Sequence, residues 1–290
     1  MIEERKTMPP RQTPTARQIR LGVELRKLRE RAGLTAREAG EMIGANQARI
    51  SNIETGRFGL SEQRIRTLAH NYDCTDESLV DALVAMATHR ERGWWEEYRD
   101  VLPPRFLDLA EMEHHATALR VAQVINIPGL LQTPEHARTL FRQVVPALRP
   151  HEVEYRISHR IKRQAVLYRE QPHQYTAIIH EAALRMRFGG SEVARAQLDH
   201  LIEMSERPYV SLRVIPFGGT TFPTVGHGLD YAYGPVPELD TAQLDAAHGS
   251  ELIHSVAQLS KYRLILDRME QATLEPDASR DLIRRITQDT

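Results

Sequence analysis

From Arg17 onward, apolar residues recur at helical spacing. Leu21, Leu25, Leu28 and Ala32 fall on one face, and Gly33 is placed to close that helix. A second helix opens at Thr35, which forms a Thr-x-x-Glu capping box with Glu38. Ala36, Ala39, Met42 and Ile43 make its apolar side, and Gly44 stops it. Asn46 then reads as the N-cap of a third helix over 47–55, with Ile50 and Ile53 facing inward. Ser61 caps a fourth helix with Ile65, Leu68 and Ala69 inside. A fifth runs over about 75–87 with Leu79, Leu83 and Met86. Five short helices with one apolar face each predict a compact all-α unit over 17–87.

The pattern changes after this unit. Residues 88–105 are charged, then aromatic, and carry both tryptophans, Trp94 and Trp95, before Pro103-Pro104. They read as a linker whose aromatic residues dock onto a second domain. Residues 106–290, which would form that domain, mix periods. Helical patterns cover about 107–126, 133–145, 151–170, 191–206, 250–270 and 277–288. In the third of these segments, Val153, Ile157 and Ile161 stand at steps of four. Period-two or short apolar runs at 175–180, 210–214, 229–233 and 239–245 predict strands. The expected fold class is an all-α N-terminal domain joined to a mixed α/β (α+β) C-terminal domain.

Composition narrows the classes. The 290 residues hold 38 Lys+Arg and 39 Asp+Glu, yet the charge is unevenly placed. Residues 1–72 carry 14 basic and 8 acidic side chains, a net of +6; the remainder is net −7. A basic front end and an acidic remainder point to nucleic acid at the front. No run of 18 apolar residues is present, so no membrane partner is expected. Residues 1–16 are proline-bearing and lack apolar periodicity, so they read as a flexible arm and not a secretory signal. A lone Cys74 makes neither an internal disulfide nor a cysteine cage. A cytoplasmic location is expected.

The third helix carries the sharpest chemistry. Small residues Ala39 and Gly40 permit close helix approach, and Gly44 permits a tight turn. Ile50 and Ile53 anchor a helix whose other face stays polar. At about 100° per residue, Gln47, Ala48, Ser51 and Asn52 point outward, with Arg49 on the flank. Gln and Asn can pair with adenine N6 and N7 in the major groove, and an alanine methyl suits a thymine methyl. Gln47, Ala48, Arg49, Ser51 and Asn52 are therefore the expected base-contacting residues; Arg37, Asn46 and Arg57 are the expected phosphate contacts.

Residues 34–57, LTAREAGEMIGANQARISNIETGR, resemble the Xre (phage-repressor-like) helix-turn-helix family, and the resemblance extends over about 18–87. It implies base reading at Gln47, Ala48 and Asn52, and a structural ion pair between Arg29 and Glu54. The chain departs from that pattern with Gly40 where alanine is usual, and with Ala36 where a glutamine often touches phosphate. In the second half, Pro128-Gly-Leu-Leu-Gln-Thr-Pro134, Arg160-Ile-Lys-Arg-Gln164, His180-Glu-Ala-Ala-Leu184 and Val210-Ser-Leu-Arg-Val-Ile-Pro-Phe217 resemble the C-terminal domain of actinomycete WhiJ-like, antitoxin-like regulators. That resemblance implies a small protein partner and no catalytic residues.

Other motifs carry less. His180-Glu181 opens a zinc-protease pattern, but Leu184 stands at the second histidine position. Adjacent His114 and His115 point about 100° apart on a helix and cannot share a metal. Neither a metal site nor a cofactor is expected, and no enzyme activity. The segment Pro128, Gly129, Leu130, Leu131, Gln132 is either a packing corner or the wall of an effector pocket. The expected function is a sequence-specific, homodimeric regulator of transcription. It binds double-stranded DNA through residues 17–87 and senses a small protein partner or small-molecule effector through 106–290. The alternative is the antitoxin of a two-protein module, which neutralises its partner and binds its own operator.

Overall fold

The structure is a computed structural model that describes residues 13–89, 92–219, 228–246 and 249–290. Most of the arm expected at 1–16 lies outside the described residues. The chain divides into two compact units, Met1–Glu91 and Arg92–Thr290.

The first unit is all helical: α1 (Ala16–Arg31), α2 (Ala36–Met42), α3 (Gln47–Glu54), α4 (Glu62–Asn71) and α5 (Glu77–Thr88). Thr15, Thr35, Asn46, Ser61 and Asp76 each cap the next helix with a side-chain oxygen on a backbone N–H. The cap of α5 is Asp76, so this helix starts later than the expected 75. Leu25, Leu28, Ala39, Ile50, Ile53, Ile65, Leu68 and Leu83 form the core. Met42, expected on the apolar side of α2, is exposed, because this helix meets its neighbours through Ala39 and Gly40 instead.

The second unit opens with a 3₁₀ turn, Trp94–Tyr98, whose Trp95 and Tyr98 are buried with Leu102, Leu107 and Ala110. Then come α6 (Pro104–His115), β1 (Ala118–Gln123), α7 (Pro134–Arg142), α8 (Pro150–Gln164), β2 (Gln174–His180), the short α9 (Glu181–Arg185), α10 (Ser191–Ser205) and β3 (Val210–Ile215). The chain finishes with β4 (Leu229–Tyr233), β5 (Thr241–Ala246), β6 (Gly249–Ile253), α11 (Val256–Gln271) and α12 (Pro276–Gln288). The six strands form one sheet in the order β3-β2-β1-β4-β5-β6. The first three are parallel; β4, β5 and β6 continue as an antiparallel meander. The fold is therefore a helical N-terminal region followed by an α+β C-terminal domain.

Two expected helices are corrected. The pattern over 107–126 is α6 followed by β1, a central strand. Leu119, Val121 and Ala122 are buried on both of its faces, and such a run does not separate strand from helix by period. The pattern over 250–270 is β6 and then α11. In α8, Ile161 is 45% exposed although Val153 and Ile157 are buried. Each step of four residues advances about 40° around a helix, so the stripe drifts, and His159 and Arg163 occupy the buried face instead.

The two sheet faces differ. One carries Ala122, Ile178, Ile215, Leu229, Tyr231 and Ala242 against Leu259, Leu266 and Met269 of α11. The other carries Leu119, Val121, Tyr175, Ala177, Ile179, Leu212 and Val214 against residues of α10 and α12. On that second face the apolar run ends at β4. Asp230 pairs in register with Val121 and Gln243, and Asp245 pairs with Ser250, so β4–β6 offer a polar floor.

Candidate nucleic-acid interface

The α2–α3 connection is built on close backbone approach. A Cβ at Gly40 would stand 2.8 Å from the Ala45 carbonyl oxygen, which accounts for glycine there. Gly44 turns the chain at φ +63°. The Ala45 N–H donates to the Gly40 carbonyl at 2.8 Å and closes the turn. The Asn46 side chain accepts from the Arg49 N–H at 2.9 Å. Ile50 and Ile53 are 1% and 3% exposed, so the rotation of α3 about its axis is fixed from beneath.

That rotation places Gln47, Ala48, Arg49, Ser51 and Thr55 in solvent. Asn46, Gln47, Ala48, Ser51, Asn52, Thr55 and Arg57 line one shallow groove. The other flank of the helix is lined by Ala48, Arg49, Asn52, Phe58 and Arg64, among others. Arg49 lies 6.0 Å from the centre of the Phe58 ring. Asn52 is half-buried, and its amide nitrogen donates to the Ala48 carbonyl at 2.9 Å, which leaves its carbonyl oxygen as the freer edge. Arg37 is exposed, pairs with Glu41 at 3.3 Å and does not line either surface. Arg64 of α4, which helical pattern alone did not single out, joins the flank.

Beneath this surface, the Arg29 guanidinium holds the Glu54 carboxylate through Nε and Nη2 at 2.6 and 3.0 Å, and its Nη1 donates to the Leu34 carbonyl at 2.6 Å. Nearby Tyr72 is pushed up to about 12 by burial, with the Glu54 charge adding to it. A second buried pair, Arg20 with Glu24 at 2.9 Å, sits inside α1 and was not legible from apolar spacing.

In the second unit, Leu130 and Leu131 of the Pro128–Gln132 segment point into the core at 3% and 0% exposure. Gly129 and Gln132 face the other way and line a cavity of about 430 Å³. Gln132 donates to the Ile127 carbonyl at 2.7 Å and accepts from Arg160 at 2.6 Å. The segment is thus a packing corner on one side and a cavity wall on the other. His180 accepts from the Ala182 N–H, and buried Glu181 holds Arg185 and the Phe217 N–H, so both serve local structure. Among the described residues, no group of three or more His, Cys, Asp or Glu side chains is arranged to hold a metal ion.

Comparison with known families adds two matches. Residues 20–83 match a helix-turn-helix domain, and residues 106–285 match a domain of unknown function, DUF5753. No curated protein and no solved structure matches the chain. The first match falls on α1–α4 and most of α5, and supports a DNA-binding regulator. No described helix is long and apolar enough to cross a membrane. Because the second match spans more than half of its 290 residues, the chain belongs to the family defined by the domain of unknown function DUF5753, here joined to a helix-turn-helix domain.

Proposed function

We propose that the protein is a sequence-specific regulator of transcription, a cytoplasmic homodimer of the Xre type. The observation that carries this reading is the polar tip of α3, held outward by Ile50 and Ile53 beneath it. Gln47, Ala48, Arg49, Ser51 and Asn52 read base edges; Asn46 and Arg57, on the same groove, hold phosphates, and the exposed Arg37 holds one from outside it. The net of +6 in residues 1–72 supplies the non-specific attraction, and the acidic second unit adds little to it. The second unit senses an effector or partner.

The division of labour is tested with two fragments in salt-titrated DNA binding. Residues 1–91 are expected to bind with a steep salt slope, and residues 92–290 not to bind. DNA binding by 92–290, or none by 1–91 at low salt, contradicts it.

A further inference from the structure

The cavity beside Gly129 lies between α6 and α8 on one side and the polar part of the sheet, β4–β6, on the other. Its two sides carry opposite charge. Arg156 and Arg160 of α8 line the helix side, with exposed Arg105 at the mouth; Asp230 and Gln243 line the sheet side, with Asp245 at the rim. The wall between them includes Phe106 and Phe141.

The arginines are positioned but not directly paired. Arg156 sits 5.1 Å from the Phe106 ring centre and Arg160 5.1 Å from that of Phe141; Arg160 also donates to Gln132. Neither is in direct contact with a carboxylate among the described residues; Glu113, Asp245 and Asp230 act on Arg160, and Glu152 on Arg156, only from a distance. Arg163, one turn along, shows the contrast: Glu113 holds it at 2.7 and 2.5 Å, both side chains buried. On the sheet side, Gln243 is 3% exposed, and its Oε1 has no hydrogen-bond partner. Native folds rarely leave such atoms unmatched unless something else is meant to meet them.

Both poles are also unfavourable in their charged forms. Burial, then Asp245 and Glu113, lifts Asp230 to about 7. Burial, then Arg163, lowers Arg160 to about 9. A volume of about 430 Å³ suits a small metabolite.

We propose that this cavity binds a small ligand with two poles: a carboxylate or phosphate received by Arg156 and Arg160, and a nitrogen donor received by Asp230 and the Gln243 carbonyl oxygen. This rests on the reading of the second unit as the sensing part and gives that sensor its ligand chemistry. Carboxylate and phosphate share the arginine fork geometry.

The test is thermal unfolding and calorimetric titration of the full chain with four probes. Orthophosphate presents the anion alone, and ethanolamine the nitrogen donor alone. Phosphoethanolamine and γ-aminobutyrate present both poles, and the better of them identifies the anion. The two-pole probes are expected to stabilise more than either single-pole probe. Arg156→Leu alone, and combined with Arg160→Met, should weaken anion binding by about tenfold or more, since charge-assisted hydrogen bonds are lost. Asp230→Asn should keep orthophosphate binding and abolish the advantage of the two-pole probes.

Failure of every anionic probe to bind the wild-type protein overturns the proposal. So does binding that is unchanged in both arginine variants. DNA affinity is measured on the same samples. Lost probe binding with intact DNA binding removes the site and leaves the regulator. Probe binding that leaves DNA affinity unchanged supports the site and contradicts its coupling to the first unit.

Discussion

Arg29 and Glu54 close a two-point ion pair between α1 and the last residue of α3, with both side chains only 8% exposed. The pair ties the end of the exposed helix to the body of the unit. Removing Glu54 leaves a buried guanidinium with only the Leu34 carbonyl and, at 3.7 Å, the exposed Glu30 carboxylate, which costs up to about 3–5 kcal/mol for a pair of this kind. Glu54→Ala should therefore lower the melting temperature of the first unit markedly. Glu54→Gln should lose less, because it still accepts from Arg29. Calorimetric unfolding checks both, and an unchanged transition in Glu54→Ala contradicts the structural role.

Gly40 and Gly129 respond oppositely to the same substitution. At Gly40 the new methyl would meet the Ala45 carbonyl oxygen at 2.8 Å, and this atom is backbone, so α2 and α3 must separate. Gly40→Ala should cost about 1–3 kcal/mol as an overpacked contact and weaken DNA binding with it. At Gly129 the nearest atom, at 2.9 Å, is the end of the Arg160 side chain, which can shift slightly without leaving Gln132. Gly129→Ala should melt within about 0.5 kcal/mol of wild type. Equal losses at the two positions contradict this reading.

Acid should weaken the second unit well before its surface carboxylates protonate. His159 lies among Trp94, Tyr98 and Phe106, and burial, then Arg163 and Arg160, depresses it to about 3. Burial also depresses His136 and His173 to about 4. These groups are neutral when folded and take up protons near 6.5 when unfolded. Their contribution is therefore fully present above pH of about 6.5 and is lost as pH falls towards 4. Asp230, raised to about 7, works the other way over about 7 to 4, but one group opposes three. The melting temperature of the second unit should fall between pH of about 6.5 and 4.5, and His159→Phe should flatten the fall. A level profile for the wild type contradicts the assignment.

The first unit was legible because its signals are local. Capping side chains at Thr35, Asn46 and Ser61 sit within three residues of the N–H groups they cap, and Ile50 and Ile53 mark one face of one helix. The second unit hid what depends on partners far along the chain. β1 looked helical because neighbours on both sides bury it, and β6 merged with the start of α11. The cavity joins residues from 105 to 250, and no period in the sequence brings Arg160 to Asp230. Gly129 and Gln132 were visible as a turn with an undecided role, and Arg160 and Arg163 only as part of a motif behind the C-terminal resemblance. The groove residues Gln47, Ala48, Ser51 and Asn52 were visible because they lie within two turns of one helix.

The central claim is that α3 reads sequence through Gln47 and Asn52. Base reading of this kind is worth about 1–3 kcal/mol per residue. Asn52 must first release its bond to the Ala48 carbonyl if both edges of its amide are used, so Gln47→Ala should cost at least as much as Asn52→Ala. The most direct measurement is selection of bound duplexes from a randomised DNA pool, then affinity for the selected and scrambled sequences. The wild-type protein should enrich a defined motif. Gln47→Ala with Asn52→Ala should lose that preference while keeping its salt-dependent affinity for scrambled DNA. A double variant that selects the same motif with the same preference, or loses affinity for both sequences equally, contradicts the account.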